Sequence, residues 1–511
     1  MTIKRFFLIL LTIISLAGVS LSLIESLNQP QVQSRLELYQ TNLILHASEF
    51  NSKNLDVADD ALIGKDPYLT AKNQYQAARD LTKTSIDKLA DDINLSDKEI
   101  IPDSQAADLL SKQQLRQGIS TEQNFINELD LKLGIILAVR GEIDQAEYTW
   151  NNLINNLEAE KQQPEIFKTA KILNSLWSKQ TEILADAEST ITTNLKGWFQ
   201  YSALKQLYQI QDRQDDLLNL QAKEQENAIT AILKLTIIGA IPFLGGIIGI
   251  AILIFLLAQL FLKKEKAFLA SDHNFVWEVP WNWEIIWQVL IVGFFFLSQI
   301  LLPFLFGLFG FNPTGLSLRF KAFYVLLSYL LMAGGGLLVL YFSIKSFFPL
   351  PQDWFKFKLK SNWILWGFGG YFVALPLVVI VSLINQQIWQ GQGGSNPLLF
   401  LALQAQDQVV LAIFFFTASI AAPIFEETIF RGFLLPSLNR YLPVWGAIIV
   451  SSLVFALAHL SFSEVLPLTT LGLVLGFVYS RSRNLLSSIL LHSLWNSGTL
   501  LSLFVLGSDI S

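Results

Sequence analysis

Residues 409–433 read VVLAIFFFTASIAAPIFEETIFRGF, an apolar run long enough to cross a membrane as one helix, which takes about 20 residues. The run nevertheless contains Glu426, Glu427 and Arg431. Each ionisable side chain inside a span costs roughly 2.5–3.5 kcal/mol on insertion scales, so such residues indicate a functional site by default. This stretch therefore predicts a helical membrane protein with a polar site inside the bilayer.

The composition of the whole chain supports a membrane protein. Of its 511 residues 52% are hydrophobic and only 15% are charged, against about 25% charged in an average soluble protein. The net charge of −6 and the absence of a long Lys/Arg block exclude a nucleic acid as partner. Because the chain has no cysteine, disulfides, thiolate nucleophiles and cysteine-ligated metals are also excluded.

The first apolar run, residues 6–24, follows Lys4 and Arg5 and is of membrane-spanning length. A cleaved signal peptide usually has a shorter apolar region and a clear cleavage site with small residues. The pattern therefore favours an uncleaved signal anchor over residues 1–24, with the N-terminus in the cytoplasm.

Eight further apolar runs predict membrane spans, so that the chain is an all-α polytopic protein with about nine spans. The runs are residues 235–262, 285–309, 322–344, 363–384, 409–433, 444–460, 465–479 and 485–506.

Positively charged residues that flank the spans fall on alternate loops, as the positive-inside rule requires for cytoplasmic loops. Arg319 and Lys321 are the exceptions. This pattern places residues 25–234 outside the cytoplasm as a separate domain, followed by spans over 235–344 and a C-terminal domain over 345–511. The cytoplasmic clusters are Lys263 to Lys266, Lys345 to Lys360, Arg440, and Arg481 with Arg483.

Residues 25–234 are polar with apolar residues at helical spacing, which predicts an all-helical extracytoplasmic domain. Gly134, Gly141 and Trp150 lie at the spacing of a tetratricopeptide (TPR) helix pair. A second, weaker candidate pair lies around residues 203–220. A TPR-like domain and an ordinary helical bundle both remain open, and either offers a surface for an extracytoplasmic protein partner.

Three polar motifs lie within the C-terminal apolar segments. Taken alone, each has a structural explanation: an ion pair at a helix end, an interfacial histidine, or a hydrogen bond between helices. Together they supply the parts of an acid–base site. The motifs are EExxxR (Glu426, Glu427, Arg431), FxxxH (Phe455, His459) and HxxxN (His492, Asn496).

This set, in this order, resembles the motifs of the CPBP family, the CAAX-protease and bacteriocin-processing group of membrane proteases. The resemblance covers roughly residues 360–506. It implies hydrolysis of a peptide bond of a membrane-associated protein or peptide, in a site within the lipid bilayer. It implies no particular substrate.

The two glutamates have different surroundings along the helix. Glu427 precedes Arg431 by four residues, the favourable order for an ion pair on one helical face, whereas Glu426 has no such partner. We therefore predict that Glu426 is the general base that activates water, and that Arg431 keeps Glu427 ionised.

His459, His492 and Asn496 have two alternative roles. They stabilise the oxyanion of the tetrahedral intermediate, with Asn496 as donor and the histidines as polarising groups. Alternatively, His459 and His492 bind zinc together with a carboxylate, as in soluble metalloproteases. The resemblance implies both descriptions, and the metal-free glutamate mechanism is favoured here, with zinc as the alternative cofactor.

A straight helix from Val444 puts His459 about 22 Å above the cytoplasmic end of its span, whereas Glu426 lies near that end of its own. Convergence of the two residues requires a kink, for which Pro423 is the candidate. The alternative to a protease is a non-proteolytic membrane scaffold that recruits partners through the helical domain. A transporter is disfavoured because no repeat of interrupted helices is present.

Overall fold

The computed structural model describes residues 2–27, 29, 31–50, 63–96, 105–160, 163–178, 185–270, 277–310, 316–405 and 407–508. Every regular element in these ranges is a helix, which confirms the predicted all-α fold. In chain order the helices are α1 (Ile3–Leu27), α2 (Val32–Ser48), α3 (Pro67–Ser96), α4 (Gln105–Val139), α5 (Ile143–Glu160), α6 (Pro164–Trp177), α7 (Ala187–Asn194), α8 (Gly197–Ile210), α9 (Gln214–Lys263), α10 (Trp283–Leu308), α11 (Leu318–Ile344), α12 (Trp363–Trp389), α13 (Pro397–Gln404), α14 (Gln408–Leu438), α15 (Val444–Leu457), α16 (Val465–Ser482) and α17 (Leu485–Gly507).

Within the described ranges, eight helices are long and apolar enough to cross a membrane: α1, α9 to α12, α14, α16 and α17. The remaining predicted span, residues 444–460, contains the 14-residue helix α15. Fourteen residues rise about 21 Å, less than the ~30 Å of a hydrocarbon core. This helix is short because the chain turns back after His459 instead of continuing as a helix.

Helices α15 and α16 form an antiparallel hairpin. Gly472 packs on Ser452, and Gly476, four residues later in α16, packs on Ile448, four residues earlier in α15. A Cβ atom would lie 2.8 Å from the Ser452 side chain at position 472 and 3.0 Å from the Ile448 side chain at position 476. The hairpin begins and ends on one side of the membrane, so the short helix leaves the predicted sidedness of the flanking loops unchanged.

The chain divides into two compact units. One, the helical domain, spans Val32–Gly239; the other, the membrane domain, comprises the residues up to Gln31 and Ala240–Gly507. The sequence placed the first boundary at residue 25 and the second at residue 234. Both structural boundaries lie a few residues later because α1 and α9 continue through the change from polar to apolar composition.

The core of the helical domain contains the predicted close crossing of two helices. Trp150 of α5 is fully buried and donates its indole N–H to the carbonyl oxygen of Leu131 in α4, at 3.1 Å. Its ring lies against Gly134, where a Cβ atom would be 2.2 Å from the indole. Glycine is therefore required at position 134 by the close approach of the helices.

Two helix hairpins in this domain share one turn geometry. In the α4–α5 turn the N–H of Glu142 bonds to the carbonyl of Leu137 at 2.9 Å, and in the α8–α9 turn Arg213 bonds in the same way to Tyr208 at 3.0 Å. Each turn contains one residue with positive φ, Gly141 or Asp212. The weaker candidate pair around residues 203–220 is thus a real hairpin, and the TPR-like description of the domain stays a prediction.

The loops of the membrane domain sort into two groups that match the predicted sides. Loops predicted to be cytoplasmic bond to one another, and so do segments predicted to be outside. In the first group the bonds join Trp277 N to Asn439 Oδ1, Trp354 Nε1 to Glu278 O, and Lys358 N to Asn484 Oδ1. In the second they join Gln31 N to Gly391 O, Gly394 N to Gln29 O, and Asn396 N to Glu464 Oε1.

Arg319, one of the two exceptions to the positive-inside pattern, forms an ion pair with Asp407. Both residues lie at the end of the membrane domain that is predicted to face outward. Asp407 accordingly has a pKa below its usual range, chiefly because the guanidinium donates a hydrogen bond to its carboxylate. The ion pair offsets the charge of Arg319. This residue therefore does not indicate a cytoplasmic loop under the positive-inside rule.

Cysteine labelling tests which group of loops faces the cytoplasm. The chain has no cysteine, and the side chains of Tyr148 in the helical domain and Leu359 before α12 are 70% and 75% exposed. In intact cells, a membrane-impermeant maleimide is expected to label Tyr148→Cys. It is expected to label Leu359→Cys only after the membrane has been permeabilised. The reverse pattern would invert the topology.

Candidate active site

Helix α14, which carries Glu426, Glu427 and Arg431, is not a regular α-helix throughout. Thr417–Ala421 and Thr428–Leu434 have π-helical hydrogen bonding, and the α-helical stretch Ala422–Glu427 lies between them. Such π segments are frequent at functional sites, because the extra residue in a turn frees a carbonyl group and redirects the side chains. Pro423, at the start of the middle stretch, adds to this irregularity because it lacks an N–H.

Glu427 is the centre of a buried ionic network. Its Oε1 accepts hydrogen bonds from Arg431 Nη1 at 2.7 Å and from His492 Nδ1 at 3.0 Å. The side chains of Glu427 and Arg431 are both 0% exposed. Arg431 also donates from Nη2 to the carbonyl of Gly472 in α16. The ion pair between positions four residues apart, expected from the sequence, is thus present, and it links α14 to both α16 and α17.

Glu426 is held differently. Its Oε1 accepts a hydrogen bond from the Tyr329 hydroxyl at 3.0 Å, and its Oε2 lies 3.9 Å from His492 Nε2. Within the part of the chain that the structure describes, one carboxylate oxygen of each glutamate has no hydrogen-bond partner. The side chain of Glu426 is 13% exposed whereas that of Glu427 is 0% exposed, so Glu426 is the more accessible of the two.

The phenylalanine of the FxxxH motif joins the three motifs. The ring of Phe455, fully buried, lies 4.9 Å from the His459 ring and 5.7 Å from the His492 ring, centroid to centroid. The Arg431 guanidinium lies over the same ring at 4.5 Å. The three motifs therefore meet around one aromatic ring.

Hydrogen bonds assign the neutral tautomer of each histidine. His459 Nδ1 lies 2.9 Å from the carbonyl oxygen of Phe455, and His492 Nδ1 lies beside the carboxylate of Glu427. Because both partners can only accept, Nδ1 carries the proton in each ring. When neutral, each histidine therefore presents a bare Nε2, which accepts a proton or binds a metal and does not donate.

Asn496 contacts the first π segment of α14. Its Nδ2 donates to the carbonyl of Ala418 at 2.7 Å. A side-chain amide has two N–H groups, so one remains for another acceptor. His492 and Asn496, one turn apart in α17, thus bind α14 at different heights, and both predicted residues of this motif face the same helix.

Comparisons with known proteins agree on one family. Residues 408–498 match the model of a type II CAAX prenyl endopeptidase, Rce1-like. This range contains all three motifs. The part of the membrane domain that carries the motifs is similar to CPBP-family membrane proteases. The membrane-embedded CAAX protease MroQ of Staphylococcus aureus (strain USA300) is 28% identical over 222 residues, which are 41% of this chain and 85% of MroQ.

The names of two further relatives say less about their activity. The putative membrane peptidase YdiL of Bacillus subtilis (strain 168) is 27% identical over 221 residues, 42% of this chain and 86% of YdiL. The UPF0177 protein YxdF of Lactococcus lactis subsp. lactis (strain IL1403) is 28% identical over 144 residues, 26% of this chain and 75% of YxdF. No solved structure matches the chain. The chain is thus an integral membrane protein related to CAAX-type membrane proteases, and less than half of it is covered by these relatives.

Sequence reasoning missed Tyr329, which lies in α11 and outside the segment that matches the CPBP model. Its hydroxyl, in the middle of an apolar helix, was a usable signal, because a buried tyrosine hydroxyl needs a hydrogen-bond partner. Gly336, two turns further along α11, explains the close approach: a Cβ atom there would lie 2.9 Å from the Phe425 ring and 2.7 Å from the carbonyl oxygen of Gly293.

The described residues contain no group of three His, Asp or Glu side chains placed to hold a metal ion. His492 already uses Nδ1 for Glu427, which leaves Nε2 of His459 and of His492 as nitrogen donors. A zinc ion at this site would therefore require both Nε2 atoms and Glu426 to come together. These three groups have the right chemistry for zinc, and the zinc alternative remains a matter for experiment.

Proposed function

We propose that this chain is an intramembrane endopeptidase that hydrolyses a peptide bond of a membrane-associated protein or peptide, with Glu426 activating the water. One observation carries the proposal. Of the two adjacent glutamates, Glu427 is 0% exposed and bonded to Arg431 and His492, whereas the side chain of Glu426 is 13% exposed and lies outside the ion pair with Arg431.

The proposed reaction uses only water and side chains of the three motifs. Glu426 takes a proton from water while the water oxygen attacks the carbonyl carbon of the scissile bond. The carbonyl oxygen becomes an oxyanion, and the C–N bond then breaks as protonated Glu426 returns its proton to the leaving nitrogen. An ionised Glu427 beside Glu426 opposes a second negative charge, and Arg431 offsets this effect.

The three other motif residues assist in this scheme. The remaining N–H of Asn496 is our candidate donor to the oxyanion. The bare Nε2 of His492 faces Glu426 and orients the carboxyl group during proton transfer. His459, whose Nε2 is also bare when neutral, accepts a hydrogen bond from the attacking water. This differs from the polarising role expected from the sequence, because a neutral ring bonded through Nδ1 has no proton at Nε2.

The glutamate mechanism predicts activity without stoichiometric metal. Purified protein in lipid vesicles is expected to cleave its substrate at an undiminished rate after treatment with a strong chelator, because proton transfer by Glu426 needs no Lewis acid. Elemental analysis of the active protein is the accompanying measurement. One zinc per chain that is lost together with activity and restored together with it would overturn the mechanism in favour of metal catalysis.

Tyr329→Phe is expected to lower kcat roughly tenfold with little change in KM, since a hydrogen bond to a charged group contributes about 1.5–3 kcal/mol. The hydroxyl fixes Glu426 Oε1 and thereby the orientation of the carboxylate that is to accept the proton. Tyr341→Phe is the matched control, because Tyr341 lies in the same helix and its side chain is 53% exposed. Equal rates for the two variants would remove Tyr329 from the mechanism.

A further inference from the structure

A lateral groove of about 630 Å³ lies in the membrane domain, away from the motif residues. It is formed by α9, α12 and α16, with Trp445 from α15. Its volume is typical of ligand sites, which measure about 300–1,000 Å³. Representative lining residues are Phe255, Phe268, Trp366, Gly369, Trp445 and Phe477.

The lining of the lateral groove determines what kind of molecule fits. Among the described residues that line it, Asn362 is the one with an amide side chain, and it lies at one end, just before α12; the others are apolar or aromatic. A peptide in this groove would leave its backbone N–H and C=O groups without partners, which is costly in an apolar environment. A hydrocarbon chain has no such groups. The lining therefore favours an acyl chain.

Lysines flank the end of the groove at which Asn362 lies. Helix α9 ends, α12 begins and α16 ends at the same side of the membrane domain, where their flanking loops bond to one another. Exposed lysines follow the groove-lining part of α9 and precede that of α12; they are Lys263, Lys264, Lys266, Lys358 and Lys360. Lysines at a membrane surface attract anionic lipid headgroups, each by roughly fivefold in affinity.

We propose that the lateral groove is a binding site for an anionic phospholipid, with one acyl chain between α9, α12 and α16 and the headgroup beside the lysines. Trp366 and Trp445 line the groove near this charged end, where tryptophan rings favour the membrane–water interface. The occupant is thus a lipid of defined charge rather than bulk bilayer.

Two variants, one with a single substitution and one with three, separate the acyl and the headgroup parts of the site. A Cβ atom added at Gly369 meets nothing within 4 Å, so Gly369→Phe fills the groove without a clash. Gly334→Phe in α11 is its control, because position 334 is equally open and lies outside the lining. The headgroup variant is Lys263→Gln/Lys264→Gln/Lys266→Gln. Its control neutralises three exposed lysines of the helical domain, Lys171, Lys196 and Lys223.

Native mass spectrometry of the full chain, released from mixed phosphatidylglycerol and phosphatidylcholine vesicles, tests the proposal. Wild type is expected to retain phosphatidylglycerol in preference, roughly tenfold or more. Gly369→Phe should lose the retained lipid, the three-lysine variant should lose the preference, and both controls should match wild type. Size-exclusion chromatography checks folding, and Gly369→Leu replaces the phenylalanine variant if that variant aggregates. Equal retention of the two lipids by wild type, or an unchanged lipid load in folded Gly369 variants, would overturn the site.

Discussion

Glu426→Gln is expected to abolish measurable cleavage while the protein stays folded. The amide cannot accept the proton of the attacking water, and a positioned general base contributes about 10²–10⁴-fold to the rate. Structure should be preserved because glutamine still accepts the hydrogen bond from Tyr329 through its carbonyl oxygen. Turnover by purified variant and wild type in lipid vesicles, together with their melting temperatures, measures the two effects separately.

The same variant also identifies substrates. Membrane proteomes of cells carrying wild type or Glu426→Gln are expected to differ in a few proteins that accumulate uncleaved in the variant. Glu427→Gln is the neighbouring control, and its effect should come through stability, because Glu427 is 0% exposed and bonded to Arg431 and His492. A Glu426→Gln protein that cleaves at the wild-type rate would refute the proposed base, and one that fails to fold would favour a structural role.

Arg431→Met is expected to destabilise the membrane domain by about 3–5 kcal/mol, the usual cost of leaving a buried charge without its partner. The methionine fills much of the arginine's volume, so the loss reflects mainly the unpaired carboxylate of Glu427 and the lost bond to Gly472. Unfolding of the purified protein, followed by tryptophan fluorescence in a denaturing detergent, provides the measurement.

A double-mutant cycle isolates the ion pair. The variant Glu427→Gln/Arg431→Met removes both charges and is expected to regain part of the stability lost in the single variant, as replacement of a whole buried pair is often neutral. Independent, additive losses would show that the two side chains are not coupled. Arg440→Met is a useful reference, because Arg440 lies in a loop and bonds to the backbone of Val279.

Local patterns accounted for the parts of the fold that depend on neighbours in sequence. Apolar runs located the membrane helices, since about 20 such residues suffice to span the bilayer whatever surrounds them. The length of α15 was not predictable in this way, because residues 444–458 are mostly apolar and carry no charge that would mark its end. Its end is set by the turn into α16, whose close glycine contacts with α15 form only in the folded hairpin.

In the candidate site as well, a contact between residues close in sequence was predictable, and contacts between distant residues were not. Glu427 and Arg431 are four residues apart on one helix, so the sequence alone determined their ion pair. Tyr329 is 97 residues before Glu426, and His492 is 65 residues after Glu427. Nothing in the spacing of such distant residues encodes a hydrogen bond. Only the packing of α11 and α17 against α14 decided which glutamate is fully buried and which is left partly exposed, because burial is a property of the assembled helices.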